Sequence, residues 1–462
     1  MVRSKFFGRS ALGLVLALGV VAGASVSTTA YAKEKAPAVA KPQPSKGFIP
    51  PYQAAAAALD KASKNPDITA AQTEVRNAET AYRNARGKDA KAQTKTALDA
   101  ATAALNGKLS GEFGLIEAAF AAVSNPDDKL LAGQLALNLG QTSLDKGLQR
   151  RGLQAMVDSG KLPPADMGKF NFYIGGISFD MKDFAAARTA FTAAIAGGYG
   201  ENDIDYLLAE ANLSDNMIPE GMRLLQVAID KKGAAAPEDW LRRGMVVSYK
   251  SKSADYSNTF GTRLVSLYPS TENWSLVIAV LRDLANFQSQ ESIDLLRLME
   301  RTKSFSEARD YVEYIQAADP RRLPGEVIKI LDEGLAAGKL DPKDVFVSDA
   351  RANAAGRIAP DKASFPALEK DARAANGTAA TAMAAGDTFL SYDMPAKAIE
   401  MYQLALSKPG VDSPRVLTRL GIAQADAGQL AEAQATFAKV EGVRKPIAAL
   451  WTVYAANKAA GK

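Results

Sequence analysis

Apolar residues along this chain recur at three- and four-residue steps, the period of helices with one buried face. Val75, Ala78 and Tyr82 form one such stripe, and Leu98, Ala101 and Leu105 another. Arg86-Gly87-Lys88 between them reads as a turn, so 52–107 predicts an antiparallel helical hairpin with a thin apolar face. Two or three further helices follow up to about 165. Asn125-Pro126-Asp127 opens one of them, with Pro at an early helical position and Asp near the positive end of the dipole. Gly152-Leu153 running into Gly160-Lys161-Leu162-Pro163 is echoed by Gly334-Leu335 running into Gly338-Lys339-Leu340-Asp341-Pro342. Both read as helix ends with a left-handed glycine and a proline stop, and the echo suggests duplication.

Beyond 165 the pattern acquires a longer period. Leu417, Leu420-Gly421, Ala433, Phe437 and Pro446 make one unit, preceded by Ala385-Gly386, Phe389, Ala398, Tyr402 and Pro409. The two glycines are 35 residues apart. Upstream, Ile174-Gly175, Ala187 and Phe191 precede Leu208-Ala209, Gly221 and Leu225, with Gly175 and Ala209 34 residues apart. Trp240, Gly244, Phe260 and Pro269 follow, with Tyr256 where a small residue belongs. Trp274, 34 residues after Trp240, opens a weaker unit with Leu281. The spacing resembles the tetratricopeptide repeat, a helix–turn–helix unit of 34 residues. Small residues let helices approach, and large ones fill the space between. A single unit cannot bury its apolar face alone, so units stack.

The resemblance implies an all-α superhelical solenoid of antiparallel helix pairs. It also implies that the first helix of each pair lines a concave groove with its positions 2, 5, 9, 12 and 13. On this chain that frame selects Phe172, Phe179, Tyr206, Glu210, Leu213, Leu241, Met245, Tyr249 and Arg282. Aromatics, Met and Arg are the residues that anchor peptides and proteins. Packing between neighbouring repeats is the competing role for Phe172 and Leu241. The segment 300–377 fits the repeat poorly, though helices are expected at 306–318, 325–336 and 365–375.

The N-terminus carries a different signal. Arg3, Lys5 and Arg9 precede an apolar stretch at 11–26, and Ala30-Tyr31-Ala32 precedes Lys33. This reads as a cleaved secretory signal peptide and predicts export to the periplasm of a Gram-negative cell. The expected organisation is therefore a signal peptide at 1–32, a flexible Lys/Ala/Pro-rich tether at 33–51 and an Ala-rich helical region at 52–165. Repeats at 166–300, an irregular helical region at 301–377, and C-terminal repeats with a capping helix at 378–462 complete it. No later stretch is long and apolar enough to span a membrane.

Composition narrows the chemistry. The chain has 462 residues, 47% apolar and 7% aromatic, with no Cys and no His. That removes disulfides, Cys–His and Ser–His nucleophiles, and zinc sites built on His or Cys. Removing the signal segment lowers the formal charge from +5 to +2, because its three basic residues have no acidic counterpart. Nucleic-acid binding gains no support from so small a charge. Arg76, Arg83, Arg86, Lys88, Lys91 and Lys95 crowd the N-terminal hairpin and read as a solvated face or as an anion site. Asp203-Ile204-Asp205 lacks the Gly and distal Glu of a calcium loop and reads as helix N-terminal charge. Gly197-Gly198-Tyr199-Gly200 lacks the Lys-Ser/Thr of a phosphate loop and reads as an inter-repeat turn.

No cofactor, metal or catalytic residue is expected. The expectation is a non-catalytic periplasmic scaffold for a protein or extended peptide, in envelope or polysaccharide-machinery assembly. A polysaccharide- or cell-wall-binding module needs aligned aromatic or acidic groove residues. A lytic cell-wall enzyme needs a separate domain with a buried Glu, for which no segment is left. Neither the partner nor the oligomeric state is written in the sequence.

Overall fold

A computed structural model describes residues 41–462, so the signal-peptide reading of 1–32 and most of the 33–51 tether lie outside the described residues. Among the described residues every regular element is helical, and none is long and apolar enough to cross a membrane. They divide into two compact units, one ending at Ala228 and the other running from Ile229 to Lys462.

The first unit contains α1 (Ile49–Ser63), α2 (Pro66–Asn84), α3 (Lys88–Lys108), α4 (Ser110–Ala121), α5 (Pro126–Thr142), α6 (Lys146–Asp158), α7 (Pro164–Asp180), α8 (Phe184–Ala196), α9 (Ile204–Ser214) and most of α10 (Ile218–Lys232). The hairpin predicted over 52–107 is α2/α3, with Gly87 at φ +81° in its turn, while residues 52–63 belong to a separate helix, α1. The end of the tether is corrected: Pro50 and Pro51 lie in the first turn of α1, where a missing N–H costs nothing. Phe48 is fully buried, and the Ser45 amide and hydroxyl donate to Asp128 at 2.8 and 2.7 Å. Asp128 also accepts from the Ser124 amide and hydroxyl, both at 3.0 Å. Burial pushes its carboxyl up, but these four hydrogen bonds outweigh that and hold it below the usual range. As the sequence predicts, Asn125 caps α5, accepting from the Asp128 amide at 2.8 Å, with Pro126 next in the helix.

The second unit contains α11 (Glu238–Lys250), α12 (Ala254–Leu267), α13 (Thr271–Ala285), α14 (Ser289–Arg301), α15 (Ala308–Ala318), α16 (Pro324–Ala336), α17 (Val345–Arg373), α18 (Ala379–Ser391), α19 (Pro395–Leu406), α20 (Ser413–Asp426), α21 (Leu430–Phe437) and α22 (Lys445–Ala459). The helix expected at 365–375 is the end of the much longer α17, which carries Pro360 and Pro366 inside it. The residues four before these prolines, Gly356 and Lys362, are exposed, so water can serve the carbonyls that lose a partner.

Consecutive helices pack as pairs: α7 with α8, α11 with α12, α18 with α19 and α20 with α21. In all four the small residue of the first helix lies against a ring of the second: Gly175 on Phe191, Gly244 on Phe260, Gly386 on Tyr402 and Gly421 on Phe437. A Cβ at Gly175 or Gly386 would come within 2.5 or 2.6 Å of the ring. The α5/α6 pair is equally close without a ring, through glycines on both helices: Gly133 of α5 lies against Gly152 and Met156, and Gly152 of α6 against the Leu137 backbone. Gly160 and Gly338 have φ near +65° and +64°, the predicted left-handed caps. Inside the pairs, the turns reuse one device with other residues. Lys182, Asn216, Lys252, Lys303 and Asp393 all have positive φ, and the next amide reaches back, as from Asp183 to the Ser178 carbonyl at 2.9 Å.

Candidate functional site

The nine groove candidates separate sharply. Tyr249 on α11 is 51% exposed. Phe179, Glu210 and Arg282 are half-buried, with Phe179 edge-on to Phe184 at 5.4 Å between centroids and Arg282 paired with Glu313 and Asp310. The other five are corrected: Phe172, Tyr206, Leu213, Leu241 and Met245 are buried in the packing. Phe172 stacks on Tyr199 at 4.7 Å and touches Phe191. Phe172 of α7 shares a core cluster with Ile204, Leu207 and Ala211 of α9, so it fills the space between two first helices. Asp203 and Asp205 flank the start of α9, in keeping with helix N-terminal charge.

The most distinctive polar assembly lies in the second unit, among residues that the sequence reading named for no site. Asp294 of α14 is fully buried and faces three guanidinium groups: Arg297 at 2.9 Å, Arg419 at 3.4 Å, and Arg444. Arg297 forks onto Glu326 of α16 at 3.1 and 2.5 Å, and Tyr314 of α15 donates to the same carboxylate at 2.9 Å. Arg419 continues to Asp387 of α18, which accepts from Tyr402 of α19 at 2.8 Å. Trp451 of α22 donates its indole N–H to the Asp294 carbonyl at 2.8 Å. Charges taken from water survive in an interior only when paired and hydrogen-bonded this fully. Burial pushes the Asp294 carboxyl up, but Arg419, Arg297 and Arg444 together prevail and hold it below the ordinary range. Burial, then the Asp387 charge, pushes the Tyr402 phenol well above its ordinary value.

This cluster occupies a particular face. Counting Gly386 and Gly421 as the eighth positions of their repeats puts Asp387 at position 9 of α18 and Arg415 at position 2 of α20. Both are groove positions in the frame applied upstream. Arg415 donates to the Gln290 side-chain carbonyl of α14 at 2.7 Å, and the Glu326 amide of α16 donates to the Ser391 hydroxyl of α18 at 3.2 Å. The groove face of the last two pairs is therefore covered by the chain's own α14 and α16. The signal was present in α14, where Asp294, Arg297 and Arg301 recur at helical spacing among Leu and Ile. Eight consecutive residues there, Ile293 to Glu300, are buried.

Beside it lies a cleft of about 310 Å³ lined by Glu300, Arg301, Lys329, Asp393, Asp426 and Tyr454, among others. Arg301 meets Glu300 at 2.7 Å and Asp426 at 2.8 Å, while Lys329 meets Glu300 at 3.3 Å and Asp393 at 3.7 Å. Its charges are neutralised from within. Among the described residues no three His, Cys, Asp or Glu side chains stand together as a metal site.

No family model matches the chain, and no curated protein matches it. Among solved structures it is similar to the complex of Naa15/Naa10 bound to HypK-THB, at 13% identity over 84% of this chain and 68% of that one, with a TM-score of 0.36. So low a score leaves the fold to rest on the helix pairs themselves. They make the chain an all-α array of antiparallel pairs with tetratricopeptide-like contacts.

Proposed function

We propose that this chain is a non-catalytic scaffold of the periplasm that binds a protein or an extended peptide along the first helices of its pairs. The observation that carries this reading is the recurring contact of a small residue with a ring in four helix pairs. Repeated close pairs make a rigid scaffold, and in repeat proteins such stacking creates extended binding faces. The absence of His and Cys supports a binding role over nucleophilic or zinc chemistry. The basic-apolar-small pattern of residues 1–32 supports export. With the last two pairs covered by α14 and α16, the exposed candidate is Tyr249 of α11. A polysaccharide site would require aligned exposed aromatics, and among the nine candidates Tyr249 alone is exposed.

Photo-crosslinking probes at positions 249 and 210 in cells should trap one discrete partner. Silence there, with capture from probes on the second helices of the pairs, would show the binding face to be elsewhere. Mass spectrometry of the exported protein should find Lys33 at its N-terminus; an intact Met1 would end the export reading.

A further inference from the structure

The α2/α3 hairpin takes no part in the repeated pairs. α2 buries Ile68, Ala71 and Val75 in its first half, and α3 buries Leu105 near its end. Between 76 and 104 no residue is buried. At 1.5 Å per residue, α2 runs about 14 Å beyond Val75 before its turn. Local polar contacts hold this finger. The Lys91 ammonium donates to the Tyr82 carbonyl at 2.8 Å and lies 4.4 Å from that ring, and Arg83 pairs with Glu79 at 2.8 Å.

The finger is also strongly basic. Between 76 and 104 six basic residues stand against three acidic ones, with Lys95 paired to Asp99, in a chain whose formal charge without residues 1–32 is +2. Arg76, Arg86 and Lys88 are exposed and form no ion pair among the described residues. The exposed large apolar side chains of the described residues all lie elsewhere. Docking on a folded protein draws its energy from a few central anchors, aromatic as well as Arg, and the finger exposes no large aromatic or aliphatic side chain to accompany its Arg. A small anion needs a concave cradle, and the finger is convex. A convex set of fixed cations suits a broad surface whose anions move to meet it, and lipids diffuse laterally.

The geometry points to docking of the α2/α3 tip on a bilayer surface rich in anionic phospholipid. This inference stands apart from the scaffold reading, since it uses none of the helix pairs.

The test is cosedimentation of the full chain with phosphatidylcholine vesicles with and without phosphatidylglycerol. Binding should require phosphatidylglycerol and weaken as salt rises. R76E/R86E/K88E should bind about a hundredfold more weakly, at roughly fivefold per juxtamembrane cation. R86Q/K88Q should show an intermediate loss, and circular dichroism should find both variants as helical as the parent. Binding retained by the triple variant, or equal on neutral vesicles, would overturn the proposal. Capture by soluble polyglutamate with vesicles left unbound would overturn it in favour of an acidic polymer. None of these outcomes touches α7 to α12, so the scaffold reading is judged separately.

Discussion

A single missing carbon decides how closely two helices approach in this protein. Gly244 lies against Phe260 with no room for a Cβ, whereas Gly114 on the exposed side of α4 has nothing within 4 Å of where its Cβ would be. Identical substitutions should therefore have opposite signs. Gly244→Ala forces the Phe260 ring or the α12 backbone to move and should cost about 1–3 kcal/mol, the range for overpacking. Gly114→Ala should stabilise by about 0.5–1 kcal/mol through helix propensity and a less flexible unfolded chain. Denaturant midpoints measure both, and a neutral Gly244→Ala would refute the close approach. These glycines were legible because Gly and an aromatic recur in order. The α5/α6 pair was not recognised as an equivalent because Met156 stands where a ring was expected, although Gly140 and Gly152 keep the small positions. The positive-φ turns were hidden for a related reason: Lys182 and Lys252 carry no left-handed preference, and their conformation is imposed by the helices they join.

At the scale of elements, α14 behaves unlike an ordinary amphipathic helix because its charged side is buried as well as its apolar side. Asp294 holds Arg297, Arg419 and Arg444 around one carboxylate. Asp294→Asn removes the charge with little change in shape and leaves three guanidinium groups undercompensated. The second unit should lose about 3–5 kcal/mol, the usual cost of breaking a buried pair on one side. Acidity acts through the same group. Its pKa is lower in the folded protein than the ordinary value of about 3.9 in an unfolded chain. The stabilisation is therefore fully present above about pH 4 and is lost as pH falls through the folded value. The parent should weaken on acidification, while Asp294→Asn should begin weaker and respond less; parallel acid profiles by thermal unfolding would contradict this. Sequence reading saw α15 and α16 nearly to the residue but truncated α17, because Pro360 and Pro366 normally stop a helix. An exposed helix face, where water replaces the lost partners, is the case in which they do not.

At the scale of whole units, local spacing announces repeats but not what closes them. The contacts that fold the second unit back on itself join residues far apart in sequence, such as Trp451 with Asp294 and Asn457 with the Val265 carbonyl of α12, the latter at 2.8 Å. No periodicity encodes such pairings, so the C-terminal helix was foreseen as a cap, whereas it packs on α12 and α14. An end cap can be removed at the cost of its own interface, while a helix that closes a unit cannot. Deleting residues 445–462 strips Trp451 from the Asp294 cluster and uncovers α12 and α14 together, although both lie well over a hundred residues upstream. Amide hydrogen exchange should then accelerate across α11 to α14 as much as in the adjoining α20 and α21. Amides of α5 to α8, in the first unit, should keep their protection, because stability is carried in cooperative blocks. Loss confined to α20 and α21 would show that α22 is a simple cap and that the second unit is an open stack.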